Sequence, residues 1–144
     1  MNINTASKLF AYYINSKDEI TDCDCDLIAI EFCSDIEKSL NRFKNFMQKT
    51  SKPFIICGTG KDETDTILLP ELAKTADREC IISFATEKTY KKIVPAAIKG
   101  NHYLILKTPI DINLAKELNI LAVEHGLDKN RIIMNTDIGA LGYG

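Results

Sequence analysis

The sequence predicts a parallel α/β fold. Three observations carry this. Short apolar runs read as buried strands, amphipathic helical stripes stand between them, and the strand-to-strand step of about 26 residues is near the ~30 of a βαβ unit. Such alternation gives a parallel sheet with right-handed crossovers.

A chain of 144 residues supports one domain with a real core, and residues 1–144 are read as a single α/β domain. Residues 1–26 form its lead-in and 27–144 its sheet. The net charge of -2 gives no support for a nucleic-acid partner, since such domains are usually basic. No apolar run approaches ~18 residues, so no membrane span is expected. The first residues lack the basic start and long apolar core of a signal peptide, and a cytoplasmic location is expected. The 5 cysteines are odd in number, which argues against a complete disulfide framework. Cys33, Cys57 and Cys80 sit in or beside apolar runs and read as small buried hydrophobes. Cys23-Asp24-Cys25 lacks companions for a site of about four ligands, so no metal is expected.

Taken in order, Thr5 can cap a helix over residues 6–15, with Leu9, Phe10, Tyr13 and Ile14 on one face. An acidic segment runs to Asp26. Leu27-Ile28-Ala29-Ile30 reads as the first strand. Ser34 and Glu37 form a capping-box pattern, and Ile36, Leu40, Phe43 and Met47 carry the following helix to about Lys49. Phe54-Ile55-Ile56-Cys57 is the second strand. A helix over 65–76 follows, but Pro70 must either begin it or kink it. Cys80 to Phe84 is the third strand. The helix over 87–99 meets the same difficulty at Pro95, which predicts a kink near Lys91. Tyr103-Leu104-Ile105-Leu106 is the fourth strand, apolar enough to be covered on both faces. Thr108-Pro109 stops it, Asp111 can cap the next helix, and Leu114, Leu118 and Leu121 give that helix its apolar face. Gly126 suits a left-handed C-cap. Arg131 to Met134 is the fifth strand, before a glycine-punctuated end.

About five strands do not close an eight-stranded barrel. They fit an open sheet or the first part of a (βα)8 barrel, and the lack of a helix after the last strand favours the second: a partial TIM barrel. Chemistry in such folds collects at the carboxyl ends of strands. Gly58-Thr59-Gly60 stands at one such end. Glu63 replaces the third glycine of a dinucleotide fingerprint, and Asp62 follows Gly60-Lys61 where a P-loop needs Ser or Thr. The motif is either a tight turn with positive φ or a place of close backbone approach to a ligand. Asp111 is either a plain cap or a ligand-facing group. Asp62 and Asp137 read as turn residues, and His102 and His125 as structural. Glu31 points either into a barrel or towards the helices. No acid–base pair or nucleophile stands out.

The string from Thr108 to Asn119, TPIDINLAKELN, the closing Gly139-Ala140-Leu141-Gly142-Tyr143-Gly144 and Tyr90-Lys91-Lys92-Ile93 resemble the corrinoid iron–sulfur protein small subunit. This family is also called the delta subunit of acetyl-CoA decarbonylase/synthase. The resemblance runs from about Asp26 to Gly144. It implies a (βα)8 barrel that pairs with a large corrinoid and iron–sulfur subunit. It implies a corrinoid (cobalamin) at the barrel mouth, shared between the subunits, and a methyl group passed from a methylated tetrahydropterin towards acetyl-CoA synthesis. The cofactor-facing residues would be Gly58, Thr59 and Gly60 after the second strand, and Thr108, Asp111 and Asn113 after the fourth. Asn135, Thr136, Asp137 and Gly139 would follow the fifth. The family usually has Asp-Pro-Thr-Thr where this chain has Asn135-Thr136-Asp137-Ile138. Two other readings stay open. One is a pterin-binding methyltransferase using Asp111, Asn113 and Asn135. The other is a non-enzymatic half-barrel that self-associates.

Overall fold

Six parallel strands stand side by side in chain order in a computed structural model that describes residues 9–20 and 24–136. They are β1 (Ala11–Ile14), β2 (Leu27–Glu31), β3 (Phe54–Cys57), β4 (Ile81–Ala85), β5 (Tyr103–Thr108) and β6 (Ile132–Thr136). Between β2 and β6 run helices α1 (Ile36–Lys49), α2 (Asp62–Thr75), α3 (Tyr90–Lys99) and α4 (Ile112–Glu124). A doubly wound sheet reverses strand order at a switch point. The order β1-β2-β3-β4-β5-β6 never reverses, so right-handed crossovers put every helix on one face, as in a barrel wall.

Strand alternation divides the side chains between two faces. Ile28, Ile30, Phe54, Ile56, Ile82, Leu104 and Leu106 pack outward against the helices, meeting Phe43, Leu68, Leu72, Ile93 and Leu118. Phe32, Phe43 and Phe54 stack edge to face within this core. The opposite face carries a smaller apolar cluster of Leu27, Ile81 and Tyr103, flanked by Ile55, Ile105 and Ile133.

The helix expected over 6–15 is corrected: over its described part the chain forms β1, paired in parallel with β2. Phe10, Tyr12, Tyr13 and Ile14 are aromatic or β-branched and suit a pleated edge. The Phe10 carbonyl accepts from Asp26 and Leu27 N–H, and its own N–H donates to the Asp26 carboxylate at 2.8 Å. Only Ile14 of this strand is buried, so the apparent helical stripe was not a core face. The cap of α1 is Asp35, one residue after the expected Ser34, and it accepts from Lys38 N–H. Helix α2 starts at Asp62, earlier than expected, so Pro70 lies inside it; Pro95 lies inside α3. Burial of Leu68, Leu69, Leu72, Ile93 and Val94 against the sheet outweighs each lost hydrogen bond. Asp111 caps α4 as expected, accepting from Asn113 and Leu114 N–H. Gly126 ends that helix region with φ of 98°.

The amino ends of the strands are tied together by side chains. His102 is buried; its Nδ1 accepts the Cys80 N–H at 3.1 Å, which leaves Nε2–H to donate to the Ala73 carbonyl at 2.9 Å. Arg78 donates to the carbonyls of Thr50 (2.6 Å) and Met47 (2.9 Å) while lying over the Phe54 ring. Arg131 donates to the Asn101 carbonyl at 2.7 Å, pairs with Glu79 at 2.8 Å and covers Tyr103.

Candidate functional site

A cleft of about 350 Å³ opens at the carboxyl ends of β3, β4 and β5. Its walls come from three successive loops and the start of α4. Gly60 and Asp62 stand on one side, Thr86, Glu87 and Lys88 on the next, and Thr108, Pro109, Leu114 and Leu118 on the third. The register explains how Phe84 joins them. Ser83 pairs with Ile105 and Ala85 with the adjacent Leu106, so Phe84 is the extra residue of a bulge. Bulges re-aim side chains near functional sites. Here Phe84 lies beneath Lys107, whose Nζ is 4.7 Å from the ring centroid, and both line the cleft. Thr108 is 4% exposed, and its Oγ1 is the one buried side-chain polar atom without a hydrogen bond among the described residues. An orphaned hydroxyl of this kind costs roughly 1–3 kcal/mol until something satisfies it.

The Gly58-Thr59-Gly60 turn is organised from within. The buried Asp65 carboxylate accepts from Thr59 N–H (2.7 Å), the Thr59 hydroxyl (2.9 Å) and Gly60 N–H (2.9 Å). A Cβ on Gly58 would lie 2.6 Å from that carboxylate, so position 58 has room only for glycine. Gly60 takes φ of 78°, which glycine adopts freely.

A polar row crosses the sheet face turned away from the helices. Glu31, Cys57 and Ser83 are direct neighbours on β2, β3 and β4. The Tyr13 hydroxyl donates to the Glu31 carboxylate. That bond, with burial and the carboxylate's charge, pushes the Tyr13 phenol up to about 12. Burial, and then the Glu31 charge, pushes the Cys57 thiol up to about 11, so it stays protonated at neutral pH and is a poor nucleophile.

The family model for the CO dehydrogenase/acetyl-CoA synthase delta subunit matches residues 7–144. The chain belongs to that family. It is 40% identical over 103 residues to the acetyl-CoA decarbonylase/synthase complex subunit delta of Methanocaldococcus jannaschii, covering 70% of this chain and 25% of that one. The match to the same subunit of Methanothermobacter thermautotrophicus is 33% over 116 residues, 79% of this chain and 28% of the relative. The match to that of Archaeoglobus fulgidus is 31% over 104 residues, 70% and 23%. The chain thus spans about a quarter of the length of these curated relatives.

Among the residues the sequence singled out, Gly60 and Thr108 meet at the cleft. Gly58 and Thr59 are turned to Asp65. Asp111 and Asn113 are exposed on the first turn of α4 and do not line the cleft; Asp111 Oδ1 is already engaged by Asn113 and Leu114 N–H. Asn135 and Thr136 end β6, with Asn135 beside Lys107 in register. Asp137 and Gly139 lie outside the described residues. Glu31 takes the face away from the helices. His125 ends α4, bonding its Nδ1 to the Leu121 carbonyl at 2.9 Å and meeting the Tyr90 ring edge to face. Phe84, Lys107 and Asp65 were missed. The Asp65 link had a visible signal, an aspartate five residues after Gly60; the bulge had none.

Proposed function

We propose that this chain serves as a delta-subunit barrel wall that positions a corrinoid for methyl transfer within an acetyl-CoA decarbonylase/synthase complex. The observation that carries the reading is a strand-end cleft lined by Thr108, whose buried hydroxyl has no partner among the described residues, on a chain of this family. The cleft is far too small for a whole corrinoid ring, but its chemistry suits one edge. The amides around a corrinoid both donate and accept hydrogen bonds, and Thr108 can do either. Phe84, Leu114 and Leu118 would meet the apolar flank and keep water away from that bond. When bound, the corrinoid supplies a cobalt that carries the methyl group from a methylated tetrahydropterin. Lys107, held over Phe84, would orient acceptor groups on the ligand. Asp111 would act only by holding the start of α4 in place.

The large corrinoid and iron–sulfur subunit is the proposed partner. Ile110 and Ile112, 70% and 69% exposed beside the cleft, offer it an apolar contact. No helix among the described residues is long and apolar enough to cross a membrane.

The test is size-exclusion chromatography of the chain with cobalamin, alone and with a corrinoid-carrying large subunit, followed by visible absorbance. The expected result is cobalamin absorbance eluting with the complex, and less of it with Thr108→Val. A chain that elutes alone, free of cobalamin under both conditions, would overturn the proposal.

A further inference from the structure

Two prolines lie inside helices on the outer layer of the wall. Pro70 in α2 and Pro95 in α3 each remove a helical hydrogen bond where a better helix former would fit. Both line one groove of about 430 Å³ between those helices, on the outside of the wall. Ile67, Pro70, Pro95 and Ala96 give it an apolar floor, and Ile67 is 56% exposed there. Proline has no N–H to offer the carbonyl four residues back. Thr66, which owns one such carbonyl, also lines the groove.

The rim is basic. Lys74, Lys92 and Lys99 face a single acid, Glu71, which pairs with Lys74 at 2.6 Å. Lys92 and Lys99 make no salt bridge among the described residues. On a chain of net charge -2, this is a local reversal of sign. An apolar floor between two helices, edged by cations, complements an amphipathic helix with carboxylates flanking its apolar ridge. We propose that the α2–α3 groove docks an acidic amphipathic helix of a partner protein. The groove shares no lining residue with the strand-end cleft, so both can be filled at once and neither proposal depends on the other.

The test uses the whole chain and two fluorescent peptides of roughly 15 residues, long enough to span such a groove as a helix. One places leucines at i, i+4 and i+7 between glutamates; the other replaces each glutamate by lysine. Anisotropy should show binding of the acidic peptide only, weakening as salt rises. Lys92→Glu with Lys99→Gln, and separately Ile67→Glu, should each weaken it by roughly tenfold or more. All three side chains are exposed, so thermal melts should be unchanged. No binding, equal binding of both peptides, or indifference to the variants would overturn the proposal. So would self-association of the chain that Ile67→Glu abolishes, since a second copy would then be the occupant.

Discussion

At the amino ends of the strands, His102, Arg78 and Arg131 direct their donors onto backbone carbonyls of neighbouring segments. At the carboxyl ends, the buried Thr108 hydroxyl has no hydrogen-bond partner among the described residues, and a cleft separates three loops. The first arrangement leaves few polar groups without partners; the second leaves one, which the proposed ligand would satisfy. This division matches the general behaviour of barrel walls, where the amino end contributes stability and the carboxyl end contributes chemistry. Substitutions at the two ends should therefore separate stability from binding.

The largest expected effect is at His102. His102→Ala empties a buried site and leaves the Cys80 N–H unsatisfied, which should cost about 3 kcal/mol in urea denaturation. Next is Arg78→Met, which keeps an apolar stem over Phe54 but gives up the bonds to Thr50 and Met47. The expected cost is about 2 kcal/mol, read the same way. Neither change should alter ligand affinity at temperatures where the chain stays folded.

The same histidine should give the amino end a pH signature. Burial holds the His102 imidazole below its ordinary 6.5, because the charged form would lose its hydration there. A depressed folded pKa means the unfolded chain takes up the proton first. Stability from this group is therefore complete above pH 6.5 and is lost as pH falls through the lower folded value. Melting temperature measured from pH 7.5 downward should fall in that window, and His102→Gln should flatten that part of the profile. A wild-type profile with no slope there would break the contrast between the two ends.

The smallest effect on stability is expected at Thr108. Thr108→Val replaces the orphaned hydroxyl by a methyl group of similar size, so the fold should gain up to about 1 kcal/mol in urea denaturation. A clear loss of stability would mean that the hydroxyl has a structural partner.

The sequence made the outer face of the sheet legible. Leu27 to Ile30, Phe54 to Cys57, Ile81 to Phe84 and Tyr103 to Leu106 are short apolar runs, and a strand covered by helices can hardly be written otherwise. β1 escaped because it is an edge strand with Tyr12 and Tyr13 exposed, and its spacing imitates a helical stripe. Whether Pro70 begins α2 or lies inside it stayed open, because proline's local penalty was legible while the burial that outweighs it was not. The site was readable only loop by loop: Gly60 and Thr108 each follow from a local strand-end pattern, and both line the cleft. The cleft joins three loops distant in sequence, and Phe84 reaches it through a bulge that depends on the register between β4 and β5. Neither leaves a mark in the string of residues.

The central claim is that the carboxyl ends, and not the amino ends, receive the ligand. Backbone amide shifts of the isotope-labelled chain, followed during a cobalamin titration in wild type and Thr108→Val, test it most directly. Shifts should be confined to Gly60, residues 84–88 and residues 107–114, with weaker affinity in the variant. Shifts centred on His102, Arg78 or Arg131, or the same affinity in both proteins, would contradict it.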